Sequence, residues 1–124
     1  MNKYFYESKS KKEILLSLLN NNEEDVEEIH QLLTFTTDGA KEKHVPVVLF
    51  HHNEVIVKVG EIPHPMLKEH HIEFIVLITN KGKYVKYLDI DKPAEASFLI
   101  EKDESVIEVY EYCNLHGLFV NKIK

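Results

Sequence analysis

Two hydrophobic periods divide the chain. In residues 14 to 33 the apolar positions cluster three and four apart: Ile14, Leu15, Leu18 and Leu19, then Val26, Ile29, Leu32 and Leu33. That spacing predicts helix with one face turned to a core. Asn22 and the acids after it supply a helix start, and the run Glu23 to Glu28 reads as its solvated face. The segment "TTDGA", residues 36–40, marks a turn and a domain boundary. From about residue 41 the period becomes two. Val55, Val57 and Val59 alternate with Ile56 and Lys58; Ile72, Phe74, Val76 and Ile78 alternate with Glu73, Ile75, Leu77 and Thr79. These segments are strands, and further strands are predicted over 44–50, 83–90, 95–101, 105–112 and 117–122. Turn residues fall at His52-Asn53, Asn80-Lys81-Gly82 and Asp91-Lys92-Pro93. Seven short strands so punctuated predict a mainly β fold, an immunoglobulin-like antiparallel sandwich over residues 38–124, preceded by a small, partly helical region over residues 1–37.

Composition narrows the function. A chain of 124 residues, 44% hydrophobic, suffices for one small domain with an appendage. A net charge of −6 offers no basic field for nucleic acid. No apolar run approaches the roughly 20 residues that span a bilayer. The lysines near the start precede an apolar patch broken by Ser17 and followed by Asn20 to Asn22, which does not resemble a signal peptide. A single cysteine forms no intrachain disulfide and fits a reducing cytoplasm. Eight histidines are many for this length.

Four of those histidines and the cysteine sit where strands should end. They are His44 in "EKHVP", His64 and His70 in "HPMLKEH", and Cys113 and His116 in "EYCNLHG". His64 and His70 converge only if their segment is a loop, because six residues of helix would rotate them apart. Cys113 and His116 can chelate one ion from a tight turn. Taken singly, each has a plainer role. A histidine beside a strand is ordinarily a surface or hydrogen-bonding residue, and His30, His51, His52 and His71 stay in that class. A lone cysteine is ordinarily a small buried hydrophobe. Their combination carries the chemistry.

Three ordered segments, "DGAKEKHVPVV" at 38–48, "VKVGEIPHPMLKEHHIEFI" at 57–75 and "YEYCNLHGLF" at 110–119, resemble the superoxide reductases, the desulfoferrodoxin and neelaredoxin family. The resemblance covers residues 38 to 122. It implies a seven-stranded β-sandwich holding one mononuclear iron, with His44, His64, His70 and His116 as equatorial ligands and Cys113 as the axial thiolate. It implies that Glu42 matches the glutamate that occupies the sixth position in the oxidised state, and Lys43 the mobile lysine. The implied activity is one-electron reduction of superoxide to hydrogen peroxide, in a homodimer fed by an external donor such as rubredoxin. Two features depart from the family pattern. The stretch "FYESKSKKEILLSLL" has none of the four cysteines that hold a second, rubredoxin-like iron in desulfoferrodoxins, and Ser8 stands about where the first would be. No second iron centre is therefore expected. The chain also lacks tryptophan, with His71, Phe74 and Phe119 at positions where many relatives carry it. A non-catalytic metal-binding sandwich and an oxidative-stress sensor are the competing readings. Structural zinc, however, takes four ligands in a closed tetrahedron rather than five.

Overall fold

The structure is a computed structural model. It describes residues 4–9, 13–17, 29–36 and 44–123, and of Leu15, Ile29 and His30 the backbone only. The chain divides into two compact units, Met1–Thr34 and Phe35–Lys124. Every regular element among the described residues is a strand.

In the first unit β1 (Phe5–Ser8) lies between β2 (Ile14–Leu16) and β3 (Ile29–Gln31), antiparallel to both. This corrects the helical expectation at Ile14–Leu16 and at Ile29–Gln31; residues 18–28, the rest of that expected helix, lie outside the described residues. The physical reason is non-local. A short apolar run such as "ILL" fits either period, and the aromatic segment Phe5-Tyr6 offers it a strand partner. Phe5 and Tyr6 are each 1% exposed. The ladder extends beyond the strands through Ser17 N–H to Tyr4 O at 2.7 Å and Leu32 N–H to Phe5 O at 2.8 Å.

The second unit is a sandwich of two sheets, with β5 to β11 antiparallel to one another where they pair. One has the order β4-β11-β10-β7-β8 and the other β5-β6-β9. The strands are β4 (Thr34–Phe35), β5 (Pro46–His51), β6 (Glu54–Val59), β7 (Ile72–Thr79), β8 (Lys83–Tyr87), β9 (Glu95–Leu99), β10 (Val106–Cys113) and β11 (Gly117–Lys122). The seven strands read from the sequence are β5 to β11. Alternation in β6 turns Val55, Val57 and Val59 inward, where they join Ile75 and Leu77 of β7, Phe98 of β9 and Val109 and Cys113 of β10 in one buried cluster. The β5–β6 hairpin closes through His52-Asn53, with His52 at φ 56°.

Glu104 fastens the β9–β10 connection, near the His52-Asn53 turn. Its carboxylate is 7% exposed and accepts from Thr79 Oγ1, from Tyr84 OH at 2.8 and 2.9 Å, and from Glu101 N–H at 2.9 Å. Burial alone would raise its pKa. The bonds from Thr79, the Glu101 amide and Tyr84 outweigh burial and hold it below 4.5. A depressed folded-state pKa gives stability that is present above 4.5 and lost as the pH falls through the folded value. Glu104→Gln should cost about 2 kcal/mol at neutral pH. The gap in urea midpoint between variant and parent should close in acid, and a gap that persists there would count against this network.

Candidate metal centre

Antiparallel pairing gathers the loop-borne histidines and the cysteine at one end of the sandwich. Pro46 of β5 pairs with Val59 of β6, and Gly60 N–H donates to Val45 O at 3.1 Å, which sets His44 beside the loop after β6. Cys113 pairs with both Ile72 of β7 and Gly117 of β11. The start of β5, the β6–β7 loop and the β10–β11 turn therefore share one end. The β6–β7 segment is a loop, as convergence of His64 and His70 requires. A two-bond bridge between Leu67 and His70, at 2.9 and 3.1 Å, folds it back on itself. Met66 anchors it to the core, with its sulfur accepting Ile72 N–H at 3.3 Å. Gly117, at φ 94°, ends the turn in a conformation that other residues rarely adopt.

Four imidazoles form a quadrangle. Ring centroids are 4.7 Å apart for His44–His64, 4.6 Å for His64–His70, 5.1 Å for His70–His116 and 4.7 Å for His116–His44, with a His44–His70 diagonal of 6.4 Å. Cys113 Sγ lies 3.6 Å from His64 Nε2 and 3.7 Å from His116 Nδ1. One donor atom from each of His44, His64, His70 and Cys113 falls within 4.8 Å of the others; His116 is outside that set, with its Nδ1 3.7 Å from Cys113 Sγ and its ring 4.7 Å from that of His44. Phe119 stacks on His44 at 4.7 Å and 12°. His44, His64 and Cys113 are buried, His70 is half-buried and His116 exposed, so the quadrangle opens to solvent on the His70–His116 side. His51 and His52 lie on the β5–β6 hairpin, at the far ends of the strands that lead from this cluster. His71 turns aside, its Nδ1 2.9 Å from Leu67 O. Glu42 and Lys43 lie outside the described residues.

The electrostatics suit a metal. Desolvation pushes His64 down to about 4; the Pro65 carbonyl contact opposes this and the neighbouring imidazoles add to it. Its ring is thus neutral and able to coordinate at neutral pH. Burial raises the Cys113 thiol, and Glu111 and Glu73 raise it further, against the amides of Leu115 and His116. A bound cation must displace that thiol proton, so binding strengthens as pH rises. Four nitrogens and one sulfur, with no oxygen among them, fit a first-row transition metal of iron's type. The His64 shift also has a consequence for the metal-free protein. Its folded-state value is below the unfolded 6.5, so stability should fall as pH drops from 6.5 toward about 4. Urea midpoints across that window should fall less steeply in His64→Gln; equal slopes would refute a neutral buried His64.

The desulfoferrodoxin family model matches residues 36–122. The chain belongs to the desulfoferrodoxin family. Among curated members, the desulfoferrodoxin of Nitratidesulfovibrio vulgaris is 48% identical over 82 residues, which cover 66% of this chain and 64% of that one. This family member thus aligns with slightly less than two thirds of that relative's length. The superoxide reductase of Thermococcus kodakarensis is 31% identical over 103 residues, covering 69% of this chain and 90% of its own. Among solved structures, the superoxide reductase of Treponema pallidum superposes with a TM-score of 0.81 at 36% identity, covering 96% of this chain and 97% of that one.

Proposed function

We propose that this chain is a superoxide reductase, reducing superoxide by one electron to hydrogen peroxide at a single iron held by His44, His64, His70, His116 and Cys113. The observation that carries the proposal is the quadrangle of four imidazoles with one thiol against it. These five residues would hold the iron and leave it able to take one further ligand. When bound, iron supplies the ferrous–ferric couple that redox-inactive zinc lacks. The protein does the rest. The neutral imidazoles hold the cation without adding charge, and Cys113, once deprotonated, donates electron density from the buried side. The exposed edge at His116 and His70 admits a small anion and the two protons that the product needs.

Lys43 overcomes the repulsion of a chain of net charge −6 for an anionic substrate. A lysine charge at about 4 Å is worth ~1 kcal/mol in water and ~4 kcal/mol at an effective dielectric near 20. With iron bound, Glu42 would be the carboxylate available as a further ligand, as the resemblance implies. Lys43→Ala should slow the second-order reaction with superoxide and weaken its salt dependence; an unchanged rate constant removes Lys43 from the mechanism.

The first unit is a remnant of a rubredoxin-like domain without its iron. The single cysteine leaves no thiolate set for a second centre, and the likeness to the T. pallidum protein extends over 96% of this chain. The electron therefore comes from an external carrier of the rubredoxin kind, in a reducing cytoplasm, and the working form is a homodimer, as the resemblance implies. Metal analysis of anaerobically purified protein tests the site. Iron near one per chain supports it, whereas one zinc per chain after growth with ample iron contradicts it.

A further inference from the structure

Asn114 lies between two of the residues that face the metal, yet its own side chain points elsewhere. Strand β10 ends at Cys113, and the chain turns through Asn114, Leu115 and His116 before β11 begins at Gly117. Just before that end, the β7–β10 ladder slips. Tyr112 pairs with Phe74 but Cys113 with Ile72, so Glu73 is an extra residue on β7. Past the slip, Asn114 N–H donates to His71 O at 3.1 Å. The backbone then leaves the sheet and the carboxamide takes over. Asn114 Oδ1 accepts His71 N–H at 2.9 Å, and Asn114 Nδ2 donates to Glu69 O at 3.1 Å. One side chain thus replaces the donor and acceptor that a further strand residue would have supplied.

These bonds grip the residues on both sides of His70. The other side of the same loop is closed by the Leu67–His70 bridge. Cys113 and His116 flank Asn114 on its own turn, whose sulfur and imidazole lie 3.7 Å apart. The structure assigns Asn114 as a positioning residue, one that locks the Cys113–His116 turn to the His70 loop and so fixes the spacing of three metal-facing groups. The assignment rests on the metal-site reading above. It needs a group that donates and accepts in one plane. Aspartate keeps the acceptor but sets a carboxylate against the Glu69 carbonyl, and alanine removes both bonds.

The test uses full-length, iron-loaded parent, Asn114→Ala and Asn114→Asp. Outer partners of metal ligands typically contribute 10–100-fold to metal affinity. Asn114→Ala should therefore release iron to excess ferrous chelator at least ~10-fold faster. In both variants the thiolate-to-iron absorption of the oxidised protein should shift or broaden, a change that a purely structural role would not produce. Either variant releasing iron at the parent's rate with an unshifted band overturns the assignment. So does loss of the far-UV sheet signal in both metal-free variants, which would make Asn114 a folding residue. A parent that holds no iron, or whose band survives Cys113→Ser, instead sinks the metal-site reading, and this assignment with it.

Discussion

Cys113→Ser removes the thiolate-to-iron absorption of the oxidised protein and weakens iron binding by more than ~100-fold, while the sandwich stays folded. Loss of an outer partner alone costs up to about 100-fold, and in the proposed site this substitution removes a ligand. Serine is nearly the same size, but its hydroxyl keeps its proton far above the pH at which a thiol surrenders one to a metal. Desolvation already holds the Cys113 proton in place, so the metal is what makes this group anionic. The structural cost is smaller. Cys113 is 0% exposed and belongs to the core cluster, and burying a hydroxyl there costs about 1–3 kcal/mol. Visible spectra after oxidation and iron release to a chelator separate the two effects. A band of parental energy and intensity in the variant would show that sulfur is not a ligand.

Ile75→Ala acts on the scaffold instead and should lower stability by about 3 kcal/mol. Ile75 is 0% exposed, paired with Lys86 on one side and Glu111 on the other, and packed in the cluster that joins the two sheets. Its loss opens a cavity that the flanking ladders cannot collapse. Domains of this size have a total stability of only about 5–15 kcal/mol, so the denaturant midpoint should move far. The thiolate band should not move, because the side chains of the proposed metal site hang on strand ends and turns fastened by backbone hydrogen bonds. A midpoint within about 0.5 kcal/mol of the parent would contradict the packing described, as surface changes have effects of that size.

Why some features were legible in the sequence follows from the range of the forces that set them. Strands β5 to β11 follow from period-two alternation and from turn residues such as His52-Asn53, both local signals. The loop between His64 and His70 was legible because proline and two separated histidines make sense only off a helix. The strand at Ile14–Leu16 was not legible because its local spacing obeys either period, while the choice is made by a partner, Phe5–Ser8, several residues away. Asn114 gave no sequence signal, since its bonds reach Glu69 and His71 across 45 and 43 positions. His44 had a signal only in company. Its ring meets His64, His116 and Phe119, all distant in sequence, and the ordered motifs foreshadowed that meeting where no single residue did.

The decisive measurement is the peroxide yield of the iron-loaded, pre-reduced protein under a pulse of superoxide. Reduction consumes one electron and two protons per superoxide and gives one peroxide for each superoxide removed, with one iron oxidised. A superoxide reductase should give that yield, together with appearance of the thiolate band. Half a peroxide per superoxide with the iron left reduced would mean dismutation, and no consumption at all would mean a metal site without this reaction; either result contradicts the account.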